Sequence, residues 1–166
     1  MQKGKITDDA SKGIIANIQV AGSFAEFKNC GLVIEAVIEE LGVKQDIFRK
    51  LEEITSAECI LATNTSSLSV TSIASACAEA GRVIGIHFFN PAPLMPLVEI
   101  IPGIASDKHI MQSAKELIDS WKKTTVIARD TPGFIVNRVA RPFYGEAIRM
   151  YEEGFADFAT IDWAMK

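Results

Sequence analysis

Apolar residues occur along the chain in two patterns, short continuous runs and longer amphipathic stretches. The runs "GLVIEAV", "ECILATNT", "RVIGIHFF", "LVEII" and "TTVIA" are typical of strands covered on both faces. Apolar residues have helical spacing in "LGVKQDIFRKLEEIT", "VTSIASACAEA" and "DKHIMQSAKELIDSWKK", which lie between these runs. Because strands alternate with helices, the pattern predicts an α/β fold with a mostly parallel sheet.

Both ends of the chain have a helical pattern instead. A helix is predicted in "ITDDASKGIIANI", where Thr7 and two aspartates stand at a plausible helix start. After "RDTPG" the strand pattern ends, residues 134–153 predict one long helix, and "DFATIDWAMK" begins another. The last part of the chain is therefore expected to be all helical.

Composition narrows the class of protein. The chain is 48% hydrophobic and 23% charged, which excludes a disordered polypeptide, and no apolar run approaches the ~20 residues that cross a bilayer. A net charge of −4, with no basic cluster beyond Lys122 and Lys123, argues against nucleic-acid binding. The start "MQKGKITDD" has no apolar leader core, so we expect a cytoplasmic protein without a membrane partner.

The three cysteines, Cys30, Cys59 and Cys77, lie in or beside apolar stretches. They form no C-x-x-C pair, so neither a metal site nor a disulfide framework is expected. The sequence favours reduced thiols in the core and no bound metal.

Polar side chains follow three successive predicted strands. Glu39 comes after "VIEAV", residues 64–67 read "NTSS" after "CILAT", and His87 ends "RVIGI". Parallel strands end at one edge of a sheet, which is where ligands bind in open α/β folds, so these residues are expected to share a site. Each alone has an ordinary structural alternative: a solvated helix start, an N-cap, or a packed histidine.

His87 and Glu99 suggest general-base chemistry. A histidine exchanges protons near neutral pH, and a carboxylate on its second ring nitrogen fixes the tautomer and stabilises the imidazolium. The segment "NPAPLMP" between them is a rigid turn that returns the second strand beside the first. The pair is therefore expected within hydrogen-bond range, ~2.6 to 3.2 Å. Such a base suits oxidation of an alcohol.

Four motifs in one order, "VIEAVIEELGVKQDIFRKLE", "ATNTSSLSVTSIA", "HFFNPAPLMPLVE" and "DTPGFIVNRV", resemble the L-3-hydroxyacyl-CoA dehydrogenases, over about residues 3–166. The resemblance implies a Rossmann-type NAD-binding domain, followed by a helical domain that carries the dimer interface and helps to cover the acyl-CoA. The boundary would fall near residues 129–132. This gives residues 1–129 as a partial NAD-binding domain and 130–166 as the beginning of the helical domain, with a homodimer as the expected assembly.

The resemblance also implies site residues. It makes His87 the general base, Glu99 its partner, and Ser66 and Asn137 the polar groups that hold the substrate oxygen and thioester near the nicotinamide. These implied assignments add Asn90 on the acyl-CoA side and, for NAD, Ala36, Glu39 and Lys44, together with Ser66. The implied reaction is hydride transfer from C3 of a (3S)-3-hydroxyacyl-CoA to NAD+, in fatty-acid β-oxidation or related acyl-CoA metabolism.

The sequence departs from the family in one large respect. No two of its eleven glycines are separated by a single residue, so the G-x-G-x-x-G fingerprint for the pyrophosphate is absent. The family's later helices are also missing, so the chain is expected to be a fragment that is inactive alone. The alternatives are a noncatalytic acyl-CoA-binding or assembly fragment and, more remotely, a hydroxy-acid or nucleotide-sugar dehydrogenase, although "HFFNP" followed by "LVE" argues against the last.

Overall fold

Six α-helices and five β-strands make up the computed structural model of the protein, which describes residues 7–166. The helices are α1 (Asp8–Ala16), α2 (Leu41–Ile54), α3 (Val70–Ala74), α4 (Lys108–Ser120), α5 (Val136–Glu152) and α6 (Phe158–Ala164). The strands are β1 (Leu32–Glu35), β2 (Ile60–Thr63), β3 (Val83–Phe88), β4 (Leu97–Pro102) and β5 (Thr124–Ile127). Two short 3-10 helices occupy Phe24–Asn29 and Ala80–Arg82.

The five strands form one sheet in the order β1-β2-β3-β4-β5. The first three strands are parallel, β4 runs antiparallel to β3, and β5 is parallel to β4. The prediction of a mostly parallel α/β sheet is therefore confirmed, and so is the return of the second strand beside the first after "NPAPLMP". Because β1, β2 and β3 are parallel, their carboxyl ends share one edge of the sheet.

Each face of the sheet packs against helices. On one face, alternate residues of β2, β3 and β4 meet α4, in a core of Ile60, Ala62, Ile84, Ile86, Val98, Ile100, Ile110, Ala114 and Ile118. On the other face, the intervening residues meet α2 and α3, in a core of Phe48, Leu51, Cys59, Leu61, Ile73, Ala74 and Val83. His87 has the same parity in β3 as Val83, so its side chain belongs to the α3 face.

Gly85, on the same face of β3, allows a close approach between elements. A Cβ atom there would lie 2.9 Å from both the Cβ of Ile101 and a methyl carbon of Val70. Only a residue without a side chain lets α3 pack this tightly over the centre of the sheet.

The helical end of the chain differs from the sheet region. α5 has no buried residues, and its apolar side chains Val139, Phe143, Tyr144, Ile148 and Tyr151 are exposed. α5 contacts α6, where Tyr151 stacks on Phe158 with ring centroids 4.1 Å apart. The helix predicted to begin in "DFATIDWAMK" is confirmed as α6.

Two details differ from the sequence expectations. The long helix starts at Val136 and not at residue 134, because Gly133 and Phe134 have positive φ angles of 78° and 47°, which a right-handed helix does not accommodate. The 3-10 helix Phe24–Asn29 was not predicted, although Ser23 and Glu26 form a capping box there.

Within residues 7–166, every helix falls short of the length and apolarity that a membrane span requires. The first six residues, which carry much of the expectation about a leader, lie outside the described part of the chain.

Candidate active site

His87 and Glu99 form the centre of the candidate site. They are directly opposite each other in the β3–β4 register, and the Nδ1 atom of His87 lies 2.7 Å from Oε2 of Glu99. Both residues are buried, at 6% and 0% exposure. The predicted hydrogen-bond contact is confirmed. A buried carboxylate accepts a hydrogen bond from Nδ1, so the geometry assigns the ring proton to Nδ1 and leaves Nε2 as the basic nitrogen.

The second carboxylate oxygen of Glu99 binds the start of α5. Its Oε1 accepts hydrogen bonds from the backbone N–H groups of Ile135, at 2.9 Å, and Val136, at 3.0 Å. Both oxygens of this fully buried carboxylate therefore have partners, as a buried charge requires. Glu99 joins the sheet to the helical end of the chain as well as to His87.

A buried ion pair lies at the end of β1. The Nζ atom of Lys44 is 2.7 Å from Oε1 of Glu35 and 3.2 Å from Oε2 of Glu39. Glu35 also accepts from the N–H of Val37, at 2.6 Å, and from the hydroxyl of Thr63, at 2.8 Å. Lys44 is 1% exposed, so its ammonium faces these protein oxygens, and any influence on a cofactor passes through Glu39.

Glu39 connects this ion pair to the loop after β2. Its Oε1 accepts hydrogen bonds from the hydroxyl of Thr65, the N–H of Ser66 at 3.2 Å and the hydroxyl of Ser67 at 3.1 Å. Burial acts to raise the pKa of Glu39, but the bonds from Thr65, Lys44 and Ser67 outweigh it and hold the pKa at about 2. Glu39 is thus a carboxylate throughout the physiological range, and it positions Ser66 through the backbone.

Asp130 binds the far end of the loop after β2, at residues 69–71. One oxygen of Asp130 accepts from the N–H of Val70 at 2.9 Å, and the other accepts from the hydroxyl of Ser69 and the N–H of Thr71, both at 2.8 Å. Burial raises the pKa of Asp130, yet the bonds from residues 69–71 dominate and lower it. The segment that leads into α5 is thereby tied to the serine loop.

A third loop, between β3 and β4, carries Asn90. The Nζ atom of Lys123 donates to the carbonyl oxygens of Ala92, at 2.5 Å, and Met95, at 2.8 Å. These bonds hold the loop against the start of β5. Asn90 is exposed on it, and Asn64 supports its base by accepting a hydrogen bond from the N–H of Phe88 at 2.9 Å.

Some of the predicted site residues are in direct contact with one another, and others are not. His87 and Glu99 are in contact, and Glu39, Lys44 and Ser66 form one hydrogen-bonded group at the same sheet edge. Asn137 is the second residue of α5 and follows Val136, whose N–H binds Glu99. Ala36 is exposed just beyond β1. The chemical roles assigned to these residues stay predictions.

The three cysteines are free thiols; Cys59 is buried in the core as the sequence predicts, whereas Cys30 and Cys77 are only half-buried. Burial raises the pKa of Cys59 and that of Cys77, the latter to about 11 with Glu52 adding to the rise. Cys59 and Cys77 therefore remain protonated at neutral pH. Among residues 7–166, no group of three or more His, Cys, Asp or Glu side chains is arranged to hold a metal ion.

Two family models match the chain. The 3-hydroxyacyl-CoA dehydrogenase NAD binding domain matches residues 1–131, and the 3-hydroxyacyl-CoA dehydrogenase C-terminal domain matches residues 133–166. The chain belongs to the 3-hydroxyacyl-CoA dehydrogenase family.

Sequence relatives within this family are named for different substrates. The chain is 41% identical to the 3-hydroxybutyryl-CoA dehydrogenase of Clostridioides difficile, over 99% of this chain and 58% of that protein. It is 42% identical to the 3-hydroxyadipyl-CoA dehydrogenase of Escherichia coli K12, over 99% of this chain and 34% of that protein. The chain thus spans between about a third and three fifths of these relatives.

A solved structure in the family has the same fold. The (S)-3-hydroxybutyryl-CoA dehydrogenase of Ralstonia eutropha superposes with a TM-score of 0.93 at 35% identity, over 99% of this chain and 58% of that one. The fold expectation, a Rossmann-type sheet followed by the start of a helical part, agrees with this match.

Sequence reasoning missed several supporting residues. Glu35 lies within the apolar run "GLVIEAV", and a lone charge in such a run was the available signal of a buried ion pair. Asp130 and Lys123 gave no usable signal, because their partners lie 59–61 and 28–31 residues away in the chain.

Proposed function

We propose that the chain carries the base-bearing part of an NAD-dependent dehydrogenase that converts a (3S)-3-hydroxyacyl-CoA to the 3-oxoacyl-CoA. The observation that supports this most is the buried His87–Glu99 pair, at 2.7 Å, in a chain of this family. Relatives of nearly equal identity are named for hydroxybutyryl and hydroxyadipyl groups, so the proposal is made for the class of 3-hydroxyacyl thioesters.

His87 takes the proton in this mechanism. Its Nδ1–H is held by Glu99, so the lone pair of Nε2 accepts the proton of the substrate's C3 hydroxyl. Glu99 stabilises the imidazolium that forms, because a fully buried carboxylate is screened little by water. When bound, NAD+ supplies the acceptor for the hydride that leaves C3.

Ser66 and Asn137 are proposed to orient the substrate. Ser66 is held through its N–H by Glu39, and Asn137 is held by the attachment of α5 to Glu99. Their side chains would bind the C3 oxygen and the thioester carbonyl, and Asn90 would line the acyl-CoA side. Fixing the substrate in this way contributes to the rate by alignment.

The sheet edge fits the nicotinamide half of NAD. The exposed residue Ala36, the partly exposed carboxylate of Glu39 and the adjacent Ser66 offer acceptors and donors for a ribose and a carboxamide. Lys44 supports the cofactor side by neutralising Glu39. Ala36, Glu39 and Ser66 are the proposed cofactor contacts, and Lys44 is proposed to act on the cofactor through Glu39.

The assembly and location are also proposed. Exposed aromatic side chains on α5 and α6, including Phe143, Tyr144 and Trp163, support a homodimer that forms through the helical end. Free thiols at all three cysteines support a reducing compartment, and we infer the cytoplasm. The domain division at residues 129 and 130 stays part of the proposal.

A chimera tests the function of these residues in a complete enzyme. Residues 7–166 would replace the corresponding segment of the Clostridioides difficile relative, and NADH formation from 3-hydroxybutyryl-CoA would be followed at 340 nm. We expect turnover, and we expect His87→Gln to lower kcat by at least ~10²-fold with little change in NAD binding.

His109→Gln is the matched control, because His109 is exposed on α4 and is the other histidine of the chain. It should leave kcat unchanged. A folded chimera that binds acyl-CoA without forming NADH would support the noncatalytic alternative instead, and equal effects of the two substitutions would exclude His87 as the base.

A further inference from the structure

The segment that joins the sheet to α5 has an unusual backbone. Gly133 and Phe134 have consecutive positive φ angles, 78° and 47°. This conformation is uncommon for a residue with a side chain, and a bulky residue held there stores strain. Such strain persists only where the surrounding structure holds the residue in place.

Gly133 is required by both conformation and space. Any L-residue is disfavoured at its φ, and a Cβ atom would lie 3.1 Å from the backbone N of Arg138 in the first turn of α5. The turn therefore determines how closely α5 approaches the sheet.

The turn delivers two donors to Glu99. Immediately after Phe134, the N–H groups of Ile135 and Val136 lie 2.9 Å and 3.0 Å from Oε1 of Glu99. They begin a helix of 17 residues, whose N-terminal dipole also favours the carboxylate. With Oε1 held by two donors, the carboxylate has little freedom to rotate, and Oε2 keeps its direction toward Nδ1 of His87.

The side chain of Phe134 contacts the imidazole itself. Its ring centroid is 5.6 Å from that of His87 at an interplanar angle of 60°, while Phe89 lies 4.7 Å away from the same imidazole. Phe134 is 4% exposed and packs with Val70, Ile101 and Ala128. The imidazole therefore packs against two aromatic rings.

We propose that the Gly133–Phe134 turn is a positioning element for the candidate base. Its backbone aims two N–H groups at Glu99, and its phenyl ring fixes the plane of His87, so together they hold the imidazole with the proton on Nδ1. The role of His87 as the base rests on the proposed function, whereas the positioning of its imidazole by the turn does not. Gly133 and Phe134 act only through Glu99 and His87 in this scheme.

Nitrogen-15 labelling of histidine gives a direct test, because the chain contains two histidines and exposed His109 serves as the internal reference. In the unmodified chain, the spectrum should show His87 as the Nδ1–H tautomer with a slowly exchanging ring proton. Gly133→Ala strains the turn and keeps the phenyl ring, whereas Phe134→Leu keeps an apolar side chain and removes the ring.

Both variants should exchange the Nδ1 proton of His87 at least about tenfold faster. Gly133→Ala adds backbone strain that favours local opening, and Phe134→Leu removes the ring that packs on the imidazole. The signals of His109 should not move. Gly145→Ala is the matched glycine control, since a Cβ there meets no atom within 4 Å and should change neither histidine.

Three results would overturn the proposal: an Nε2–H tautomer in the unmodified chain, unchanged slow exchange in both variants, or equal acceleration in Gly145→Ala. Circular dichroism would establish that each variant is folded, and if Gly133→Ala does not fold, Phe134→Leu decides alone. If a chimera shows no turnover but its His87 is the Nδ1–H tautomer with a slowly exchanging proton, the proposed function is wrong and this inference still holds.

Discussion

Removing the ammonium of Lys44 should cost more stability than removing any exposed lysine. Lys44 and Glu35 are both 1% exposed in their side chains and lie 2.7 Å apart. Lys44→Met keeps the length of the side chain but leaves the carboxylate of Glu35 buried without a counter-ion. Breaking a buried pair in this way costs about 3–5 kcal/mol.

The remaining contacts of Glu35 indicate the lower end of that range. Its carboxylate still accepts from the N–H of Val37 at 2.6 Å and from the hydroxyl of Thr63 at 2.8 Å. A loss of about 3 kcal/mol, with an m-value of about 2 kcal/mol per molar urea, lowers the unfolding midpoint by about 1.5 M. Fluorescence-monitored urea unfolding at pH 7 measures this shift.

Two further variants make the measurement decisive. Lys115→Met removes the partly exposed Lys115–Asp119 pair on α4, which water screens, so it should shift the midpoint far less. Adding Glu35→Gln to Lys44→Met removes the uncompensated charge, so part of the lost stability should return. The reasoning is refuted if Lys44→Met and Lys115→Met shift the midpoint equally, or if the double variant is less stable than Lys44→Met.

Three other predictions concern stability. The pKa of Glu39 is held at about 2, below its unfolded value, so the contribution of this carboxylate to the free energy of unfolding is complete above about pH 5 and is lost as the pH falls toward 2. Glu39→Gln should therefore flatten the acid side of a plot of urea midpoint against pH. Parallel plots for the variant and the unmodified chain would contradict this. Asp130→Ala leaves three donors unpaired and should cost about 2 kcal/mol in the same assay, whereas a cost below about 0.5 kcal/mol would mean that water replaces the carboxylate. Gly85→Ala places a methyl group 2.9 Å from Ile101 and Val70 and should cost about 1–3 kcal/mol, so an unchanged melting temperature would show that α3 yields easily.

The sheet edge was predictable because local rules determine it. Apolar runs of strand length located β1, β2 and β3, and the parallel arrangement then brought Glu39, Ser66 and His87 to one edge. The His87–Glu99 contact followed from a proline-rich turn between two strands, which is also a local signal.

The contacts that were missed depend on distant residues. The start of α5 was placed two residues early, because the positive φ of Phe134 accompanies a bond to Glu99, which lies 36 residues before Ile135. Lys44 was assigned to the cofactor from the resemblance alone. Its burial against Glu35 appears only when α2 is packed on β1. No periodicity in the sequence carries this information.

The antiparallel pairing of β3 with β4 separates the placement of the His87–Glu99 pair from the sequence of the loop that joins the two strands. Register places His87 and Glu99 opposite each other as cross-strand neighbours, and residues 90–96 connect their strands. A library randomised at Ala92 to Met95, with Lys123 kept to bind the two loop carbonyls, would therefore vary the surface of this loop while the His87–Glu99 contact stays unchanged.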